Sequence, residues 1–255
     1  MSEAKILVER DGPVTTFIIN RPEVKNALDQ EASGLLARSF QDFDKDGTQK
    51  VGVVIGAEDS FCAGADLKEA SSNVNYKAWA GHPEGPLHRP LSKPLIAAVA
   101  GHAVAGGLGI ALYCDIRIAD PNAVFGIFCR RWGVPMSDGT PTRLPRIIGT
   151  GPAMDMMLTG KPVSANEAFS MGLVSRLSAP GKLRQEAEDL AQQIAAFPPL
   201  AMLSDRHAIY DQEGREEADA LKREWDLAKE AQFKEAQNGA SRFAEGAGRH
   251  GQFDS

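Results

Sequence analysis

Two short stretches of this sequence offer bare backbone amides to a ligand. They are FCAGADLKE (residues 61–69) and the Ala105-Gly106-Gly107 turn inside PLIAAVAGHAVAGGLGIALYCD (residues 94–115). Each follows an apolar run, and the second opens a helix at its glycine pair, so its N–H groups stand at the positive helix end, where negative charge is favoured. If both turns lie at one edge of a sheet, their N–H groups converge on a single oxygen and stabilise an enolate or oxyanion. Losing one such donor costs ~2.7–4 kcal/mol where it has been tested. Taken singly, either glycine turn also fits a packing role, letting helix and strand approach closely. One turn into the helix, position 109 is a glycine where a catalytic side chain could stand.

An acidic group is available in GVPMSDGTPTRLPRIIG (residues 133–149), where Asp138 falls at the start of a helix beginning near Thr140. It is either a proton-transfer group or the N-cap of that helix. Arg130 and Arg131 stand just upstream, next to Cys129. An arginine lining an apolar pocket is costly unless paired, so an Arg130–Asp138 ion pair is expected. Such a pair would lower the Asp138 pKa and favour a base over an acid. The alternative for the arginines is a surface or intersubunit pair. His102 fits a packing or backbone hydrogen-bonding role. His82 and His88 lie in the Gly/Pro-rich stretch 71–89, expected to be a mobile loop, and no histidine or cysteine spacing suggests a metal. Ser137 lacks a nucleophile-elbow context, and Leu112 stands where a dinucleotide fingerprint needs a glycine.

The elements that must carry these residues read as an α/β body. Residues 5–10 and 14–20 form a hairpin across Asp11-Gly12, and Asp29 caps a helix with Ala32, Leu35, Leu36, Phe40 and Phe43 on its apolar face. Strands at 51–55, 95–100, 116–119 and 124–127 are nearly all apolar, which places them in a sheet covered on both faces. After residue 140 the β signal fades; Ser164 to Glu167 is a capping box, Gly172 stops its helix, and 181–197 and 213–237 are long amphipathic helical stretches.

At 255 residues, 43% hydrophobic, the chain buries a full core, and a net charge of −6 argues against nucleic-acid or anionic-membrane partners. No apolar run approaches the ~18 residues of a membrane span. The start MSEAKILVERDG reads as a first strand rather than a secretory leader, and Cys62, Cys114 and Cys129 read as buried free thiols. The expected location is cytoplasmic.

FCAGADLKE followed by KPLIAAVAGHAVAGGLGIALYCDIRIA resembles the crotonase (enoyl-CoA hydratase/isomerase) superfamily. The likeness extends from RPEVKNAL (21–28) through RLPRIIG (143–149) to LTGKPVSANEAFSMGLV (158–174). The resemblance implies a spiral of ββα units over residues 1–195, with a helical C-terminal oligomerisation region over 196–255 that builds homotrimers or hexamers. It implies acyl-CoA thioester substrates, with no cofactor beyond the CoA of the substrate. Ala65 and Gly106 would donate the oxyanion-hole N–H bonds. Ala63, Gly64, Asp66 and Leu67 would meet the adenine, and Val24, Lys25 and Ala27 would lie along the CoA chain. It also exposes two departures: the glutamates of hydratases in this family align with Gly109 and Cys129. The two-glutamate hydration mechanism is therefore excluded. Three functions follow: an enolate-forming enzyme using Asp138, with Arg130 beside it; a C–C hydrolase of β-diketone type substrates; or a catalytically reduced acyl-CoA-binding protein.

Overall fold

The computed structural model describes residues 4–73 and 85–248; most of the loop expected at 71–89, including His82, lies outside them. Two compact units are present, Met1–Gln192 and Gln193–Ser255.

The first unit begins with the expected hairpin, β1 (Ile6–Asp11) and β2 (Val14–Ile19), followed by α1 (Gln30–Lys45). The Asp29 carboxylate accepts the Ala32 N–H at 2.8 Å, which satisfies one of the orphan donors of the first turn of α1. Next come β3 (Val51–Gly56), α2 (Leu67–Ser72), β4 (Leu95–Val99), β5 (His102–Val104) and α3 (Gly106–Tyr113). The chain continues through β6 (Ile116–Ala119), β7 (Val124–Gly126), α4 (Thr140–Ile148), α5 (Thr150–Thr159), β8 (Val163–Ser164), α6 (Ala165–Ser170), β9 (Arg176–Leu177) and α7 (Leu183–Ala195). The expected capping box at the start of α6 is formed between Ser164 and Glu167.

Six strands form one sheet in the order β1-β2-β3-β4-β6-β9, parallel except for the β1–β2 hairpin. Every residue of β4 is buried, which is why that strand reads as an unbroken apolar run. A second, three-stranded sheet has the order β5-β7-β8. The chain passes from the large sheet to the small one twice in the same way, from β4 to β5 and from β6 to β7, and each passage leads on to a helix. Gly101 makes the first passage at φ +52, where a Cβ would lie 2.0 Å from the Asp59 carbonyl oxygen. Isolated bridges extend the small layer, Cys62 to Ala103 and Leu28 to Ala65. This repeat of strand, short strand and helix is the expected ββα spiral. It brings the chain segments at 26–28, 62–65 and 102–106 side by side.

The second unit holds α8 (Pro199–Asp211), α9 (Glu217–Ala231) and α10 (Gln237–Ala244). The turn Gln232–Ala236 between the last two is a π-helix. The Glu235 carboxylate accepts the N–H groups of Leu200 and Ala201 at 3.0 and 2.9 Å, capping α8 from within the unit. Helix α8 is nearly without amphipathic patterning, which is why no helical stretch stands out there in the sequence.

Candidate active site

The two amide turns lie against each other, Gly64 packing on the Gly106 nitrogen. Leu28 N–H donates to the Gly64 carbonyl at 2.7 Å and Asp66 N–H to the Leu28 carbonyl at 2.9 Å. In a parallel pairing the residue between those two bonds turns its own N–H away from the partner strand. That residue is Ala65, whose N–H has no acceptor among the described residues. Gly106 is the first residue of α3, where an N–H has no intrahelical partner, and its N–H is also free of any acceptor among the described residues. Ala105 turns the chain into α3 at φ 50, ψ −126, a conformation costing an L-residue ~1–3 kcal/mol. Its own N–H is held by the Gly126 carbonyl at 2.9 Å.

Bare glycines permit the contact between the turns. A Cβ on Gly64 (φ +92) would stand 2.7 Å from the Gly106 nitrogen, and one on Gly107 would stand 1.9 Å from the Cys62 carbonyl oxygen. Asn26, fully buried at φ 57, fastens the 21–28 segment to this assembly. Its amide nitrogen donates to the carbonyls of Ala57 and Ser60 at 2.8 and 2.6 Å, and its oxygen accepts the Arg21 N–H at 2.9 Å. Arg21 lies 3.1 Å from the carboxylates of both Asp29 and Asp66. Asp66 also accepts the Lys68 and Glu69 N–H groups, capping α2.

Beside the amide pair is a cavity of about 400 Å³ lined by Ala65, Gly106, Cys129, Ser137 and Asp138, with Leu67, Phe128, Trp132, Val134 and Met136 as its larger apolar walls. Asp138 is 4% exposed and reaches the space above Gly109. A Cβ built on Gly109 would stand 2.3 Å from Asp138 Oδ2 and 2.5 Å from its carboxyl carbon. The second distance is the span of two carbon–carbon bonds at a tetrahedral angle. The Asp138 carboxyl carbon thus lies as far from that Cβ position as the carboxyl carbon of a glutamate lies from its own Cβ. Asp138 Oδ1 accepts the Thr140 N–H at 2.9 Å, so one oxygen holds the first N–H of α4 and the other faces Gly109. Gly139 holds the N-cap position of α4, so the expected capping by Asp138 is corrected to a bond from one residue earlier to the first helical N–H. Burial pushes its pKa above the ordinary value, opposed by the Thr140 N–H and by the charge of Arg143.

The profile described as Enoyl-CoA hydratase/isomerase matches residues 9–253. This chain belongs to that family, within the crotonase superfamily. Enoyl-CoA hydratase EchA19 of Mycobacterium tuberculosis is 36% identical over 223 residues, covering 85% of this chain and 84% of that protein. The (E)-benzylidenesuccinyl-CoA hydratase of Thauera aromatica is 38% identical over 209 residues, covering 80% and 81%. The crystal structure of enoyl-CoA hydratase EchA1 from Mycobacterium marinum superposes with a TM-score of 0.89 at 34% identity, covering 95% of this chain and 96% of that one.

For this hydratase/isomerase-family chain, one expectation needs correction: Arg130 does not pair with Asp138. Arg130 is exposed, its Nε donates to the Met157 carbonyl at 3.2 Å, and it is absent from the cavity wall. Arg131 donates to the Gly160 carbonyl at 3.0 Å and stacks over Phe128. The 3-10 turn Phe128–Trp132 is the cause, because its tight winding sends successive side chains in different directions. Cys129 points inward and both arginines turn toward the C-terminal end of α5. The cation acting on Asp138 is Arg143, and burial outweighs it, so the carboxyl pKa is raised rather than lowered.

The remaining site residues occupy distinct places. Ala63 and Leu67 line the cavity, whereas Gly64 and Asp66 do not. Val24 is half-buried, Ala27 is buried, and Lys25 is exposed with its amine 2.9 Å from Asp59. Cys129 holds a neutral thiol, raised in pKa by burial and by Asp138, with its sulfur 3.1 Å from that of Met136. Cys62 and Cys114 are buried free thiols, as expected. Asn26 and Arg143 were missed in the sequence. The signal for Asn26 was its place in RPEVKNAL; Arg143 carried none beyond its motif.

Proposed function

We propose that this protein binds an acyl-CoA thioester with its carbonyl oxygen between the N–H groups of Ala65 and Gly106, and that Asp138 moves a proton at the adjacent carbon. The observation that carries this reading is the Asp138 carboxyl standing over Gly109 in the cavity that both amides line. Abstraction of the α-proton places an electron pair on the thioester oxygen, where two preorganised donors stabilise the enolate. The same carboxylic acid then returns the proton to the γ-carbon of a 3-enoyl thioester, giving the 2-enoyl isomer. This allylic shift balances with one proton-carrying group. Val24, Lys25 and Ala27 would follow the CoA chain, with Ala63, Gly64, Asp66 and Leu67 at its adenine. Asp66 would act there through its backbone, since its carboxylate is held by Arg21 and the α2 cap. Arg130 has no part in the proton transfer.

The hydratase names of the relatives favour hydration as the second reading. Hydration needs one group to orient water and another to deliver a proton. Besides Asp138, the described ionisable group on the cavity wall is the neutral Cys129 thiol, so water would have to be ordered by the substrate. The decisive measurement is deuterium exchange at the α-carbon of 3-hexenoyl-CoA, with isomerisation followed in parallel, in the wild type and Asp138→Asn. A loss of ~10²–10⁴-fold is expected; crotonyl-CoA hydration that survives Asp138→Asn intact would refute the assignment. Calorimetry with CoA separates this reading from a CoA-independent β-diketone hydrolase, which predicts no binding. CoA binding without turnover would identify an acyl-CoA-binding protein. A homotrimer or hexamer is proposed from the resemblance, supported by the exposed apolar side chains Ile209, Leu221, Trp225, Phe233 and Phe243.

A further inference from the structure

We infer that Arg143 is the positioning residue of this site: its guanidinium clamps the main chain at Asp138 to Leu87 and to Tyr113, holding the carboxyl over Gly109. The inference rests on the proton-transfer role proposed for Asp138. Nη1 of Arg143 donates to the Asp138 carbonyl at 3.1 Å and Nη2 to the Leu87 carbonyl at 2.7 Å. The guanidinium carbon stands 5.4 Å from the centre of the Tyr113 ring. Tyr113 is the last residue of α3, whose first residue is Gly106, and its hydroxyl donates to the Arg89 carbonyl at 2.7 Å. One side chain thus ties the loop bearing the carboxyl to the helix bearing an oxyanion donor, and ties both to the 87–89 segment.

Gly139 makes the clamp possible. At φ +88 it sits between Asp138 and α4, and a Cβ there would lie 2.1 Å from Arg143 Nη1. The Asp138-Gly139 pair therefore has a physical reading: the acid does the chemistry and the bare glycine admits the guanidinium that fixes it. Two donors aimed at separate carbonyls from one planar group, stacked on an aromatic ring, are within the reach of arginine and beyond that of lysine. The charged or titratable groups facing the carboxyl among the described residues are Arg143 and the Cys129 thiol.

The test combines Arg143→Gln and Arg143→Lys in the full chain with two readouts. One is the ¹³C carboxyl titration of Asp138, its signal assigned by its absence from Asp138→Asn. The other is the isomerisation of 3-hexenoyl-CoA. Arg143→Gln should raise the titration midpoint and lower kcat by ~10–100-fold through misplacement of the acid, with KM unchanged. Arg143→Lys should keep the titration near that of the wild type but still lose kcat, because charge remains and the fork is gone. Should Arg143→Gln not fold, Arg143→Lys carries the test, and full kcat in that variant overturns the inference. An unmoved titration in folded Arg143→Gln, or a loss confined to KM, also overturns it. Those outcomes are separate from the proton-transfer reading, which falls if Asp138→Asn remains active.

Discussion

Gly109 and Asp138 occupy one space, so a methyl group at position 109 should be felt through the carboxylate. In Gly109→Ala the new Cβ would meet Asp138 Oδ2 at 2.3 Å and its carboxyl carbon at 2.5 Å, so the acid must withdraw. Overpacking of this kind costs ~1–3 kcal/mol. Withdrawal also strains the Thr140 N–H bond to Oδ1, a hydrogen bond worth ~1 kcal/mol. Replacing a mid-helix glycine by alanine returns ~1 kcal/mol of helix propensity. The net destabilisation expected is about 2 kcal/mol, or ~4–8 °C in Tm for a chain of this size. In an Asp138→Ala background the two closest atoms are gone, leaving the Cβ contact of 2.9 Å, which relaxes with a small shift. There Gly109→Ala should be neutral or slightly stabilising, giving a coupling of about 2 kcal/mol in a double-mutant cycle by thermal melting. Isomerisation by Gly109→Ala alone should fall ~10²-fold, because a misplacement near 1 Å is enough. A coupling below ~0.5 kcal/mol, or a fully active Gly109→Ala, would refute the shared-space argument.

Further outcomes follow from the same geometry. Asp138→Asn should be more heat-stable than the wild type at neutral pH. The folded-state pKa of Asp138 is raised, so the native protein binds more protons than the unfolded chain above pH ~4, and stability falls as pH rises through the folded pKa. Each tenfold change in proton affinity is worth ~1.4 kcal/mol. Melting both proteins across pH 3–8 (roughly the carboxylate-to-neutral range) should show the curves separating as pH rises; a constant gap would contradict burial as the cause. Asn26→Ala removes three hydrogen bonds at a left-handed residue, and by denaturant unfolding should cost ~3–5 kcal/mol. Ala105→Gly relieves a strain of ~1–3 kcal/mol against ~1 kcal/mol of added unfolded-state entropy, so its Tm should hold or rise. Arg130→Ala should leave isomerisation unchanged in a steady-state assay, since its hydrogen bond goes to the Met157 carbonyl.

Much of the frame was legible because its constraints are local. Asp29 and the Ser164–Glu167 box cap the helices they announce, since a cap needs only a few consecutive residues. The strand at 95–99 shows as an unbroken apolar run because all five of its residues are buried, whereas 116–119 admits Arg117, buried with its guanidinium on the carbonyls of Leu173 and Cys114. What lay beyond reach was direction. Nothing in Cys129-Arg130-Arg131 says which of the three points inward; the pitch of a 3-10 turn settles it, and the arginines end on the carbonyls of Met157 and Gly160.

The ββα spiral came through the family resemblance; the sequence by itself determined the glycine turns, the apolar strands and capped helices of an α/β body, and the absence of carboxylates at 109 and 129. Each of these depends on the identity of residues close in the chain: small ones where backbones touch, apolar ones where sheets are covered. Tertiary structure decided that the space left by Gly109 is filled by the carboxyl of Asp138, and that the cationic charge acting on it is that of Arg143 rather than Arg130. Those facts depend on how α3, the 133–139 segment and α4 meet. A contact between segments distant in the chain is set by packing, which no local pattern records.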